Sequence, residues 1–444
     1  MVVDIEHVQS EQASLRADEQ PSQNEVVPPT SILQRESAPF KESVLFFFSA
    51  VGCTIGCTAV LSNLVYYSDT LGMNAFLILN FAVFTPLLPV TLSQAIWDAQ
   101  FDRQFRSLRS FSFRGTVGFS VALICVLLLP WVSQSLLYLS ITSVFLGLSS
   151  AVLHGTLKQM ASFVYPSCGR SSAAVTAGMQ ASGLLVLAVS VTSGFGGCSS
   201  KDGLQLFYFS IAALLILCWG CFRALFYFSE GVVRSMQRRD SLILFPEIEE
   251  PLLSSRGDPD TNQIHAVDVD ETLELSFSRL CRKSWPVCLA IVITIGSSMS
   301  VASLFNRVQS QDSTNTAFPQ VLFYTRLLAD LFGRPATLFG APKSVVVLIV
   351  MSILRLGFLP IFFLYTSTDM IPQNDVGAVL GVFGFAFSSG YLVTLSYQLA
   401  PVLLSNHERE RNSMKQANLI NVCFSVAVIL GLILSVVLSR VLMS

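Results

Sequence analysis

The chain has 444 residues, of which 52% are hydrophobic and 13% charged, with a net charge of −2. An average soluble domain carries roughly twice that share of charge, about 25%, and a globule this apolar would show large bare patches to water. A water-soluble protein and a nucleic-acid partner are therefore excluded. An all-α polytopic membrane protein is expected instead, because the apolar residues fall in blocks of about 20, enough for a helix to cross a bilayer core of roughly 30 Å.

In chain order, residues 1–43 are polar and acidic, with Pro28, Pro29 and Pro39 and no apolar core. They read as a disordered cytosolic tail rather than a cleavable signal. Eleven spans follow. The first, Val44–Tyr67, holds Gly52 and Gly56 at a small-xxx-small spacing that permits tight packing. Its Cys53 and Cys57 lack the partner ligands of a zinc site, as do Cys218 and Cys221 later, so no metal is expected. Asn74–Trp97 contains Pro86 and Pro89, and Gly115–Ser133 contains Pro130; prolines here predict kinks or ends. Leu136–Val164 sets His154 and Lys158 one turn apart on one face, and the cation needs water or an acid nearby. Ser171–Phe195 carries Gln180 among Ala177, Gly178, Ala181, Ser182 and Gly183. Leu204–Phe228 ends near Arg223, which can snorkel to the interface.

Residues 229–284 form an acidic linker that divides the chain into an N-terminal bundle of six spans (44–228) and a C-terminal bundle of five (285–444). The middle of this linker is expected to be disordered. Its Glu249-Glu250-Pro251-Leu252-Leu253 resembles an acidic dileucine signal with imperfect spacing and reads as solvated linker. The last five spans are Trp285–Phe305, Val321–Phe339, Ser344–Thr366, Val376–Ala400 and Ala417–Met443. Pro335 and Pro360 predict further kinks, and Arg355 in the ninth span is expected to pair with an acid on another helix. Of the ten cysteines only Cys198 falls in an outside loop, so no structural disulfide is expected.

Arg and Lys gather on one side of this layout. Arg103, Arg106, Arg109, Arg114, Arg170, Arg234, Arg238, Arg239, Arg279, Arg282, Lys283, Lys343, Arg409, Arg411 and Lys415 all fall in loops on the side of the N-terminus. The opposite loops hold Lys201 and Arg307, with Arg440 near the C-terminal end. This bias places the N-terminus in the cytosol and, after eleven spans, the C-terminus outside.

The eighth span is the most informative, because an ionisable group in a membrane helix faces a cavity or a partner. Asp330 lies four residues from both Arg326 and Arg334, so either arginine can pair with it along one face. Phe323, Leu327, Asp330 and Arg334 project within about 60° of one another at 100° per residue. Such a stripe suits a solute with a flat apolar part and several hydroxyls; an ion pair that only holds helices together is the alternative.

Asp330-Leu331-Phe332-Gly333-Arg334 is similar to the Asp-x-x-Gly-Arg signature of the equilibrative nucleoside transporter family. Leu153-His154-Gly155-Thr156-Leu157, Met179-Gln180, Leu354-Arg355-Leu356 with Pro360, and Ser388-Ser389-Gly390-Tyr391-Leu392 agree with that family in order. The resemblance runs from about Val44 to the C-terminus, as in a divergent, protist-type member. It implies a major-facilitator-like fold of two bundles around a central cavity, and passage of nucleosides or nucleobases by alternating access. It also implies a substrate site of His154, Gln180, Asp330, Arg334, Phe323, Leu327, Thr54, Cys57, Leu61, Phe84 and Leu87. His154 matches a family glutamine that contacts the base, while Asp330 and Arg334 match an acid and base that engage sugar and base. The chain departs from the family where Gly56-Cys57-Thr58 replaces Pro-Trp-Asn, where Leu327 and Ser389 replace asparagines, and where Lys158 adds a charge.

Facilitated diffusion by a monomer in the plasma membrane is the expectation, with no enzymatic chemistry, cofactor or metal. Gly-x-x-x-x-Gly-Lys-Ser/Thr is absent from the sequence, which speaks against an ATP-driven pump. Proton-coupled carriage of a sugar or other small polar solute, with Asp330 or His154 carrying the proton, is one rival. A channel or a non-transporting receptor is another.

Overall fold

The computed structural model describes residues 40–72, 74–164, 170–194, 201–244, 275–302, 305, 308, 310–311, 318–337, 339–342, 344–367 and 374–441. The N-terminal tail to Pro39, Cys198, the dileucine-like segment, Arg307 and Lys343 lie outside them. Regular structure among the described residues is helical: α1 (Phe40–Ser62), α2 (Leu64–Leu71), α3 (Ala75–Phe84), α4 (Leu87–Phe105), α5 (Ser107–Val132), α6 (Leu136–Val164), α7 (Arg170–Thr192) and α8 (Lys201–Phe228) come first. They are followed by α9 (Glu230–Leu244), α10 (Phe277–Ala302), α11 (Phe318–Ala336), α12 (Val345–Leu356), α13 (Phe358–Ser367), α14 (Asp375–Leu399) and α15 (Asn406–Val441).

Ten described segments are long and apolar enough to cross a membrane. α11, at the eighth expected span, is 19 residues long and holds three charges, so it falls outside that set and the expected count of eleven does not follow from length and apolarity alone. The outer faces carry the apolar surface that water would not tolerate: Val346 is 69% and Leu354 73% exposed, and Trp97 and Trp131 also point outward.

The interruptions have local causes. The second expected span breaks at Thr85–Pro86, where Pro86 and Pro89 have no N–H to give the preceding turn. The ninth breaks at Gly357, three residues before Pro360. Polar caps fix two helix starts. Asn374 Oδ1 accepts from the Val376 and Gly377 amides. At α15, Glu408 Oε2 accepts from the Ser405 amide at 3.0 Å and Ser405 Oγ from the Glu408 amide, a reciprocal capping box.

Helix starts also correct the sequence reading of several loop arginines. α5 begins at Ser107, eight residues before the expected boundary, because the chain turns tightly at Arg106 (φ 61°). Arg114 is therefore two turns inside a helix rather than in a loop. α10 and α15 likewise begin early, which puts Arg279, Arg282, Lys283, Arg409 and Lys415 on helices. The linker, expected to be without structure in its middle, opens with the helix α9. Val232 and Met236 of α9 are fully buried, Asp240 Oδ1 accepts from the Ser107 amide at 2.9 Å, and Ser235 donates to the Val164 carbonyl.

Packing follows small residues, since lipid gives no hydrophobic drive between helices. In the first half α1 is central, lying against α7, α8 and α6. A Cβ on Gly178 would stand 2.1 Å from the Phe47 carbonyl oxygen, so only glycine lets α7 this close to α1. In the second half α10 packs on α15 and α14, and α11 on α14. The α11–α14 crossing is the tightest. A Cβ on Gly390 would meet the Asp330 carbonyl oxygen at 2.0 Å, and one on Gly333 the Phe387 carbonyl oxygen at 2.1 Å. The two halves touch through α7 with α11 and through α4 and α6 with α15.

Candidate functional site

A cavity of about 180 Å³ lies where the halves meet, lined by α1, α3, α4, α6 and α7 from the first half and α10, α11, α14 and α15 from the second. Ten of the eleven residues expected in the site line it: Thr54, Cys57 and Leu61 from α1, Phe84 and Leu87 from α3 and α4, His154 from α6, Gln180 from α7, and Phe323, Leu327 and Arg334 from α11.

Asp330 is the exception. It is not a lining residue; it stands behind Arg334, whose Nε and Nη2 donate to its Oδ2 at 3.2 and 2.8 Å. The helical spacing left two partners open, and the structure selects Arg334. Arg334 is then carried across the seam, with Nη1 donating to the Thr176 carbonyl at 2.7 Å and Nη2 approaching Gln180 Oε1 at 3.4 Å. The acid thus holds the arginine in place, and the arginine faces the cavity.

Lys158 and Arg326 also line the cavity. The Lys158 ammonium is buried, donates to Thr176 Oγ1 and sits 3.7 Å above the centre of the Tyr397 ring. Where an acid is one of the expected partners, a hydroxyl and an aromatic face meet the ammonium. Arg326 lies 3.9 Å from the Met299 sulfur. Three cations therefore line the cavity among its described residues and no carboxylate does. The remaining walls are apolar or amphipathic. The His154 ring lies 5.3 Å from that of Phe424, and Thr54 Oγ1 donates to the Met179 carbonyl at 2.6 Å.

Tyr397, Asn80, Phe424 and Met299 also line the cavity and were not expected there. Val393 and Tyr397 are one helical turn apart, and Asn80 is the single polar residue of α3, so a periodicity search for lone polar groups would have found two of the four. Ser389, noted as a departure from the family pattern, is buried 3.5 Å from Ser298 and does not line the cavity. Arg355 is corrected as well. Among the described residues no acid forms an ion pair with it: its guanidinium donates to the Thr294 and Phe385 carbonyls and to the Ser297 and Ser388 hydroxyls, and stacks 3.7 Å over Phe385.

A second polar cluster lies one to two turns beyond the cavity, toward the arginine-rich end. Arg114 Nη1 stands 2.7 Å from Asp98 Oδ2, and both side chains are buried. The Gln159 amide donates to Asp98 Oδ2 at 2.5 Å and to Asn418 Oδ1 at 2.7 Å. Thr91 donates to Ser425 at 3.0 Å in the same seam. α4, α5 and α6 are thereby tied to α15 between the cavity and that end.

Residues 140–441 match a family model described as nucleoside transporter, a stretch containing every part of the site except the contributions of α1, α3 and α4. No curated protein sequence matches the chain. Among solved structures, the major facilitator superfamily proton:xylose symporter XylE, bound to 6-bromo-6-deoxy-D-glucose, is similar over 90% of this chain and 94% of its own, with a TM-score of 0.56 and 11% identity. At that identity the likeness shows the fold alone, and the fold is of the major facilitator type. A partially occluded inward-open XylE from E. coli (15% identity, 91% and 97% covered, TM-score 0.48) is too distant in shape to support any argument. The same holds for a bacterial homologue of the human lysosomal transporter Spinster (11% identity, 89% and 82% covered, TM-score 0.49).

Proposed function

We propose that the chain, which belongs to the nucleoside transporter family and is a multi-pass membrane transporter, passes nucleosides and nucleobases by alternating access, as facilitated diffusion through the cavity between its halves. The observation that carries this reading is the convergence of ten expected residues, drawn from five separate spans, on one buried cavity at the seam. A solute there touches both moving parts, which is what a rocking carrier requires.

In this reading His154 and Gln180 meet the base, Phe323 and Phe84 cover its flat faces, and Arg334 donates to base or sugar. Asp330 is a positioning residue that keeps Arg334 aimed. α11 is the eighth of eleven crossings, its charges turned inward. The arginine-rich end is cytosolic, supported by Arg106, Arg109, Arg234, Arg279 and Arg409 at helix ends on that side. The Asp98–Arg114–Gln159–Asn418 cluster then closes the cytosolic side of the cavity, and must part for the solute to leave.

Radiolabelled inosine, adenosine, uridine and hypoxanthine uptake in transporter-deficient cells tests the reading. Saturable uptake is expected for at least one, and Asp330→Ala is expected to lower it roughly ten- to a hundredfold at equal surface level, the size of a lost charge-assisted hydrogen bond. Uptake of none of the four by surface-exposed protein would refute the substrate class. Uptake that disappears with the proton gradient would instead favour the coupled rival.

A further inference from the structure

We propose that Lys158 sets the base preference of this site, selecting oxo-substituted bases and nucleosides of the hypoxanthine, guanine and uracil type over their amino counterparts of the adenine and cytosine type. The proposal rests on the nucleoside-carrier reading and deepens it.

Lys158 lies one turn beyond His154 on α6, at the inner end of the cavity, and is 3% exposed. Its partner Thr176 fixes which way the hydrogen bonds run. The Thr176 hydroxyl gives its proton to the Ser172 carbonyl at 2.6 Å, so toward Lys158 it can only accept. An ammonium has three donors and no acceptor. Thr176 takes one and the face of Tyr397 steadies the charge, which leaves donors turned to the cavity. The backbone carbonyl of the same Thr176 takes Arg334, so two cations converge on one residue. Asp330 on α11 is already engaged by Arg334. The inner end therefore offers hydrogen-bond donors and positive charge with no carboxylate lining to balance them.

A base edge entering this end must present acceptors. The carbonyl at purine C6 or pyrimidine C4 does so with two lone pairs, whereas an amino group at that same position would set N–H against N–H and leave both unpaired. Hypoxanthine and adenine have nearly the same size and shape, so the apolar walls cannot tell them apart. A buried charged donor can, because the unpaired polar group costs the wrong solute roughly ten- to a hundredfold.

The experiment measures uptake of labelled hypoxanthine and adenine, and of uracil and cytosine, in the same transporter-deficient cells. The wild-type chain is expected to favour each oxo base at least tenfold in kcat/KM, and Lys158→Gln to bring both ratios close to one. Because each ratio is taken on one set of cells, loss of folded protein lowers both members alike and leaves it unchanged. Competition against hypoxanthine uptake by unlabelled adenine and unsubstituted purine, in wild type alone, gives the same answer if the variant fails to reach the surface. Equal uptake of the two classes by wild type overturns the proposal, as does a Lys158→Gln variant that slows both in proportion, since that marks a purely structural lysine. Transport of none of these bases by surface-exposed wild type also overturns the proposal, and the carrier reading itself falls only when inosine, adenosine and uridine fail to enter as well.

Discussion

The two polar clusters along the seam are built from similar parts to opposite ends. Near the arginine-rich end Arg114 meets Asp98, and the Gln159 amide bridges that acid to Asn418 across the halves. Around the cavity three cations line the wall, and the acid beside them, Asp330, pairs with Arg334 from outside the lining. The first cluster pairs its charges within the protein; the second lines the cavity with three cations. The contrast separates groups that hold the protein together from groups that wait for something to hold.

Cutting the closed cluster is expected to have the largest effect. Asp98→Ala leaves Arg114 buried without its anion, at a cost of about 3–5 kcal/mol, read as a sharp loss of thermal stability in detergent. Asp98→Ala with Arg114→Met should recover most of that loss. If Asp98→Ala melts like wild type, the Asp98–Arg114 pair does not hold the fold together.

Asn418→Ala removes only the tie across the seam, about 1 kcal/mol. A several-fold shift toward open distances between spin labels on α6 and α15 at that end is expected, with little change in melting. An unchanged distance distribution would show that Thr91–Ser425 and apolar packing hold the seam unaided.

The smallest effect belongs to the exposed pair on the same end, Lys283 with Glu408 at 2.5 Å. The hydrogen bond from Lys283 lowers the Glu408 carboxyl below its ordinary value, helped by the Ser405 amide. A lowered carboxylate stabilises the fold above the ordinary carboxylate pKa and loses that contribution as pH falls through the folded value. Lys283→Ala should therefore melt less than about 1 kcal/mol below wild type at neutral pH, with the gap closing in acid. A gap that widens in acid would reverse the assignment.

Much of this was legible in the sequence because buried charge is rare and conspicuous in apolar helices. Asp330, Arg334 and His154 stood out for that reason, and the helical period put Phe323 and Leu327 beside them. Asp98 and Arg114 were hidden by their position. Near a span's end a charge looks like the start of a loop, and only the early start of α5, set by the turn at Arg106, brings Arg114 inside. Helix α9 escaped notice because its polar face dominates its composition, while Val232 and Met236 bury a strip only four residues apart. Whether Arg326 or Arg334 pairs with Asp330 was undecidable from spacing, since both are one turn away; the close α11–α14 crossing at Gly333 and Gly390 settles how α11 is rotated.

The bond from Arg334 to the Thr176 carbonyl spans the seam. In kinetic terms it is a brake on the empty carrier, because the halves cannot part at that level until it breaks. A nucleoside that takes the arginine's hydrogen bonds for itself releases the brake as it binds. The loaded form would then turn over faster than the empty one, and exchange of labelled for unlabelled solute would outrun net entry in a counterflow assay.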